Sequence, residues 1–218
     1  MAERRWFAKS GAPVGALPER MGSQERHALF WPFRKKMLVL VVGPSGAGKD
    51  TLLSAAKVAL ADDPRFRFVR RVVTRPTDGV EGNEETLDEA AFHACREREG
   101  FALWWQAHGF FYGVPADISD DLDAGRVVIA SVSRAVLSEA AARFPVRVVE
   151  ITAPRDVLAS RLAARGREDG RQVAARLSRS VAIPAGLAVS VIVNDGTIAE
   201  GAHALLLCLR GIMDSEVS

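Results

Sequence analysis

The densest chemical signal in the chain is the run Gly43-Pro-Ser-Gly-Ala-Gly-Lys49, followed by Asp50 and Thr51. Glycines at this spacing let successive backbone N–H groups turn toward one point, and a lysine at the end of the run reaches the outer phosphates of a nucleotide. Gly43, Pro44, Ser45, Gly46, Ala47, Gly48 and Lys49 are therefore expected to form a phosphate loop for a nucleotide. Asp50 and Thr51 then open the helix whose N-terminus adds partial positive charge. The residue after the lysine is ordinarily Ser or Thr, whose hydroxyl ligates Mg2+; here it is Asp50. Asp50 and Thr51 are the candidate Mg2+ ligands of the loop, the carboxylate acting directly or through water. The competing account makes Asp50 a first-turn carboxylate favoured by the helix dipole.

Arginines form the other two clusters. Arg70, Arg71, Thr74 and Arg75 precede the turn Pro76-Thr-Asp-Gly79, and Arg161, Arg165 and Arg167 precede Arg176 and Arg179. A guanidinium fork meets phosphate oxygens with paired hydrogen bonds. Residues 37–218 hold 19 Arg and two Lys, so phosphate recognition competes with a simple compositional bias on solvated helix faces. Gly166, between two arginines, suits a lid that closes over the phosphates. No Asp or His beyond the loop stands out as a general base. A phosphate acceptor, with a second pKa near about 6, needs none at neutral pH.

The elements that must position these groups alternate in kind. From Met37 onward, short β-branched runs alternate with amphipathic stretches, the pattern of a parallel sheet with helices on both faces, and the fold class is α/β. Strands are expected at Leu38–Val42, Phe66–Val73, Val127–Ser131, Arg147–Ile151 and Val189–Val193, each apolar enough to be covered on both faces. Helices are expected at Gly48–Leu60, Asp88–Arg98, Ser133–Arg143, Arg155–Ala164, Gly170–Val181 and Ile198–Ile212. The segment from Phe101 to Gly113 reads as two strands joined by a turn, a place for a smaller inserted lobe. Trp104 and Trp105, at alternating strand positions, must face opposite ways.

Composition bounds the rest. With 218 residues, 48% of them hydrophobic and 26% charged, the chain can bury a substantial core, and wholesale disorder or a disulfide-built miniprotein is excluded. Residues 1–36 hold 8 basic and 3 acidic side chains, which leaves 21 basic and 24 acidic for residues 37–218. A body with that acidic excess is not a duplex-binding surface, so nucleic acid is not an expected partner. Cys95 and Cys208 stand apart with no CxxC spacing, and the four histidines show no metal-ligand pattern. The apolar runs Leu38–Val42 and Ala204–Leu209 are far shorter than a membrane span, and the first thirty residues lack an apolar leader core. A cytoplasmic protein without membrane partners is expected. Residues 1–36 read as a basic, poorly ordered extension, with Met21 or Met37 as alternative starts, ahead of a domain over 37–218.

The chain resembles the guanylate-kinase-like P-loop kinases from Met37 to about Ile212. The shared features are the loop itself, Val-Thr-Arg-Pro ending at Pro76, His-Gly-Phe-Phe-Tyr-Gly-Val over 108–114, Arg-Gly-Arg over 165–167 and Val-Asn-Asp-Gly over 193–196. Guanylate kinases read guanine with a Glu whose counterpart here is Leu103; their second phosphate-binding Arg would fall near Asp78, and the Tyr after their Gly-Glu segment has no counterpart around Glu84 and Glu85. Unpaired polar groups of the base would each cost about 1–3 kcal/mol, so GMP is a poor acceptor. The resemblance is closer to the ribose 1,5-bisphosphate phosphokinases, whose loop carries Gly-Lys-Asp. It extends over Thr74-Arg75, Trp105-x-Ala-x-Gly-x-x-Tyr-Gly-Val114, Ser133-Arg134, Arg165-Gly-Arg-Glu168 and Asn194-Asp-Gly196.

That resemblance implies a P-loop kinase fold with a small acceptor-binding lobe and an Arg-rich lid. It implies transfer of the γ-phosphoryl of ATP, with Mg2+, to the 1-phosphate of ribose 1,5-bisphosphate, giving 5-phospho-α-D-ribose 1-diphosphate, as in phosphonate breakdown. Lys49, Arg165 and Arg167 would be the catalytic cations, and Arg71, Arg75, Tyr112 and Arg134 would hold the sugar bisphosphate. Asn194 would help seat adenine, or else belong to an Asn-Asp-Gly turn. The chain departs from the family at Glu81-Gly-Asn-Glu-Glu85, where an acidic stretch ending in His is expected. The alternatives are a nucleoside monophosphate kinase with altered base choice and a binding module that kept the fold without catalysis.

Overall fold

The computed structural model describes residues 36–75, 84–164 and 181–214. The expected extension over 1–36 lies outside them except for Lys36, as do Arg165, Arg167 and all but the last residue of the helix expected at Gly170–Val181.

Residues Met37–Val42 form β1, buried throughout. A strand with no exposed position must be covered on both faces, and its alternating side chains enter two separate cores. Met37, Val39 and Val41 pack with Leu52 and Ala56 of α1 (Lys49–Ala59) and with Leu205, Leu209 and Ile212 of α6 (Ile198–Asp214). Leu38, Leu40 and Val42 pack on the other side with Leu103, Val114, Ile118 and Leu137.

β1 lies at the centre of a five-stranded sheet in the order β2-β7-β1-β8-β9, every pair parallel. Its partners are β2 (Phe66–Phe68), β7 (Val127–Ser131), β8 (Val146–Thr152) and β9 (Ala188–Val193). The expected α/β architecture is therefore present. Its helices include α4 (Leu137–Arg143), entered through a 3-10 turn over Arg134–Val136 that Ser133 caps by accepting from the Ala135 amide, and α5 (Arg155–Ala164).

A second sheet, in the order β4-β3-β6-β5, carries the inserted lobe. It contains β3 (Arg71–Val73), β4 (Glu84–Thr86), β5 (Phe101–Ala107) and β6 (Phe110–Pro115). Phe92 of α2 (Glu89–Glu97) stacks on Phe101 and Phe111 beneath it. The short α3 (Ile118–Asp123) returns the chain to β7 and buries Ile118 and Leu122.

Two expectations are corrected, and two elements were not anticipated. The run Phe66–Val73 is not one strand. Phe66–Phe68 pairs with β7, the chain turns at Val69 and Arg70, and Arg71–Val73 joins the second sheet. Continuous β-propensity does not reveal which partner each half finds. β9 is not covered on both faces: Ile192 is buried, whereas Val189, Val191 and Val193 are exposed, as an edge strand permits. β4 and α3 carried no readable signal, because three residues without apolar alternation and six without a full helical stripe are too short to show a period.

Candidate active site

The phosphate loop leaves the carboxyl end of β1, between the ends of β7 and β8, at the position where open parallel sheets bind ligands. Two of its glycines are required by what lies behind them. A Cβ at Gly43 would stand 1.9 Å from the carbonyl oxygen of Ile151, and one at Gly48 would stand 2.4 Å from Nδ2 of Asn194, with Gly48 also at φ +87°. Lys49 Nζ donates to the carbonyls of Gly43 at 2.8 Å and Pro44 at 3.0 Å, so its ammonium is held over the loop mouth.

The loop forms one wall of a cavity of about 520 Å3. Gly43, Ser45, Gly46, Gly48, Lys49 and Asp50 line that wall, and Arg71, Arg75, Trp105 and Tyr112 of the second sheet line the opposite one. Residues 21 or more apart in sequence thus converge because the second sheet folds over the carboxyl ends of the first. Trp105 and Tyr112 are opposite each other on β5 and β6, and their rings stack at 5.4 Å and 7°. Trp105 is the tryptophan that faces the cavity. Trp104 faces the other way and is covered by the Arg96 guanidinium, 4.8 Å above its ring.

Glu84 organises the arginines. Its Oε1 accepts from Arg71 at 2.7 Å and its Oε2 from Arg75 at 2.5 Å, while Arg71 also approaches Asp50 Oδ1 at 3.4 Å. Burial works against the charge of Arg75, but the hydrogen bond and negative charge of Glu84 outweigh it and raise the guanidinium pKa above its ordinary value. Arg75 Nε is buried and has no hydrogen-bond partner among the described residues. The Arg75 side chain as a whole is 39% exposed and lines the cavity, so the outer part of its guanidinium has the chemistry to take an anion.

The remaining expected residues are placed as follows. Thr51 is exposed on α1, outside the cavity lining. The carbonyl of Pro44 accepts from Lys49, and Ala47 is fully buried beneath the loop. Arg134 is ion-paired with Glu150 of β8 and does not line the cavity, although its neighbour Ser133 does. Asn194 is buried behind the loop. Its Nδ2 donates to the carbonyl of Ala47 at 2.8 Å, its own amide donates to Thr152, and its carbonyl accepts from Arg161 of α5 at 2.9 Å.

Sequence reasoning missed Glu84, Ser131, His108 and Leu162, all of which line the cavity. His108 sits at φ +53° in the β5–β6 turn, so its place at the cavity rim follows from the hairpin. Glu84 was visible only as a departure from the family pattern, since its strand had no periodicity to mark it.

Among the described residues no group of three or more His, Cys, Asp or Glu could hold an ion on its own. Asp50 is exposed on the cavity wall beside Lys49, and one carboxylate with phosphate oxygens and water is the ligand set Mg2+ ordinarily takes. The residues present therefore fit an ion that arrives with a nucleotide.

A scan against protein-family models found no match. Among curated proteins, the ribose 1,5-bisphosphate phosphokinase of Brucella abortus is 47% identical over 180 residues, 82% of this chain and 94% of that protein. The corresponding protein of Acidiphilium cryptum is 48% identical over 178 residues, 81% of this chain and 94% of its own. Among solved structures, guanylate kinase from Anaplasma phagocytophilum superposes with a TM-score of 0.59 at 18% identity, over 84% of this chain and 88% of that one. That structural likeness establishes the shared fold. Sequence identity at this level over nearly the full length of both relatives establishes more, and the chain belongs to the ribose 1,5-bisphosphate phosphokinase family.

Proposed function

We propose that the protein transfers the γ-phosphoryl group of ATP to the 1-phosphate of ribose 1,5-bisphosphate, releasing ADP and 5-phospho-α-D-ribose 1-diphosphate, as a cytoplasmic step of phosphonate catabolism. The observation that carries this reading is the single cavity between the phosphate loop and the Arg71, Arg75 and Tyr112 wall, a donor site and an anion-acceptor site facing each other. The curated relatives named as ribose 1,5-bisphosphate phosphokinases support the choice of acceptor.

An oxygen of the acceptor 1-phosphate attacks the γ-phosphorus as the bond to the ADP oxygen breaks, and the negative charge that left the acceptor oxygen is gained by ADP. Such a transfer is governed by positioning and charge neutralisation. Lys49 exchanges its two loop carbonyls for the outer phosphates. The backbone N–H groups of the loop and the N-terminus of α1 hold the inner ones. Arg75 and Arg71 take acceptor phosphate, whereas Arg134, paired with Glu150, stands outside the cavity lining. Arg165 and Arg167, outside the described residues, are the further cations assigned to the transferred phosphoryl group in this reading. Asp50, with Thr51 as a further candidate, would hold Mg2+, which would supply positive charge against the ATP phosphates. No general base is required, because the attacking oxygen carries no proton at neutral pH.

Residues 1–36 are dispensable in this reading, since relatives align over 94% of their own length to 82% of this chain. The test is ATP consumption in the presence of Mg2+ with ribose 1,5-bisphosphate, GMP, AMP and ribose 5-phosphate offered separately, on the full chain and on a chain beginning at Met37. Turnover with the bisphosphate alone is expected from both. Turnover confined to GMP would replace the reading with a nucleoside monophosphate kinase, and absence of ATP binding would replace it with a non-catalytic module.

A further inference from the structure

A cavity built to receive two polyanions carries, in Glu84, a carboxylate whose side chain is 10% exposed. It is fixed from three directions. β3 and β4 set Glu84 in register with Arg71, its carbonyl accepts from Arg70 Nε at 3.0 Å, and its two carboxylate oxygens each accept from a different arginine. Each oxygen of a carboxylate has about two acceptor directions, so one guanidinium contact apiece leaves both with capacity on the cavity side.

That remaining capacity is selective. A carboxylate only accepts hydrogen bonds, and a phosphate dianion has no proton to donate to it and is repelled by it. A sugar hydroxyl donates. The acceptor's phosphates would therefore go to the flanking guanidiniums of Arg71 and Arg75, both in the cavity lining, and the stretch between them would face Glu84. In ribose 1,5-bisphosphate that stretch carries the hydroxyls of C2 and C3. The stacked Trp105 and Tyr112 rings on the same wall supply flat apolar surface beside it.

We infer that Glu84 is a specificity-determining residue that accepts a hydrogen bond from a ring hydroxyl of the acceptor while it sets the spread of Arg71 and Arg75. The inference rests on the sugar-bisphosphate reading above. A carboxylate that only held the arginines would affect every acceptor equally, whereas one that touches the sugar distinguishes acceptors by their hydroxyls.

The experiment compares kcat/KM of the full chain on ribose 1,5-bisphosphate and on its 2-deoxy and 3-deoxy analogues, then repeats the series with Glu84→Gln and Glu84→Ala. The unaltered protein should prefer the ribose compound over at least one deoxy analogue by about 10- to 100-fold, the range of a hydrogen bond to a charged group. Glu84→Ala should bring that ratio near one, with Glu84→Gln between. Equal rates of the unaltered protein on all three sugars overturn the inference without any variant having to fold. So does a ratio that survives Glu84→Ala while all rates fall together. Those two outcomes leave the sugar-bisphosphate reading standing, whereas turnover of GMP with none of any sugar bisphosphate overturns both.

Discussion

The side-chain amide of Asn194 donates to the carbonyl of Ala47 across 2.8 Å, joining the end of β9 to the middle of the phosphate loop. The same nitrogen fills the space that a side chain at Gly48 would need, and Arg161 of α5 donates to the Asn194 backbone. The loop's shape is therefore held from behind by a buried polar residue that stays outside the cavity lining. Asn194→Ala leaves the Ala47 carbonyl without this partner, at a cost of about 1–3 kcal/mol. Denaturant unfolding should show that loss, and ATP affinity should fall with it. A variant of unchanged stability and affinity would show that the loop holds its shape alone.

Gly43 tests the same support from the β8 side. A methyl group there meets the Ile151 carbonyl at 1.9 Å, and that oxygen belongs to a central strand that cannot retreat. Gly43→Ala should reduce ATP affinity by at least 10-fold, measured by equilibrium titration, through displacement of the first loop residue.

How far these relationships could be read from sequence varies with their origin. The loop was legible in full, because its chemistry requires glycines and a lysine in contiguous order after an apolar strand. The place of Arg71 and Arg75 beside the loop was legible, since they sit at a strand end that meets its cavity. Their partner Glu84 was not, because the contact joins two three-residue strands of a sheet whose topology no local period encodes. Arg134 shows the opposite difficulty. Its residue type and neighbours suit a phosphate, but the fold brings Glu150 next to it, and which carboxylate a given arginine meets is decided by strand order. For Asn194, the motif was visible while the direction of its side chain depended on where β9 lies against the loop.

Asp50 provides a prediction about the ion. It is the carboxylate nearest the phosphate loop lysine in sequence, it faces the cavity, and its recorded partner Arg71 is 3.4 Å away. Asp50→Asn keeps the shape and removes the charge. The Mg2+ concentration for half-maximal ATP turnover should rise about 10-fold, as one carboxylate ligand is lost. An unchanged Mg2+ profile would assign Asp50 to the helix dipole alone.

Acid stability offers a test away from the cavity. Asp63 accepts hydrogen bonds from Arg65 Nε at 2.8 Å and Arg65 NH2 at 2.6 Å, and these bonds with the arginine's charge hold its carboxyl below the ordinary 3.8, against a smaller effect of burial. A folded-state pKa below the unfolded one contributes stability that is fully present above about pH 4 and is lost as pH falls through the folded value. The pair is half-exposed at its arginine, so solvent screening limits it to about 0.2–1 kcal/mol. Asp63→Asn should lower stability by that amount at pH 7 and by less at a pH well below the ordinary 3.8, as read by unfolding curves at the two pH values. An equal loss at both would assign the effect to packing.

Lys49 carries the strongest prediction about chemistry. Its ammonium rests on two backbone carbonyls of its own loop, a site it can leave for phosphate oxygens without crossing the cavity. Removing it takes one positive charge from the developing transition state and deletes no core contact. Lys49→Ala should lower kcat by about 10²–10³-fold, the usual effect of losing one preorganised charge stabiliser, with the unfolding midpoint near that of the unaltered protein. The two carbonyls it releases lie at the loop mouth, where water can take its place. A purified Lys49→Ala protein that turned over ATP and acceptor at the original rate would remove the lysine from the mechanism and leave charge neutralisation to the arginines.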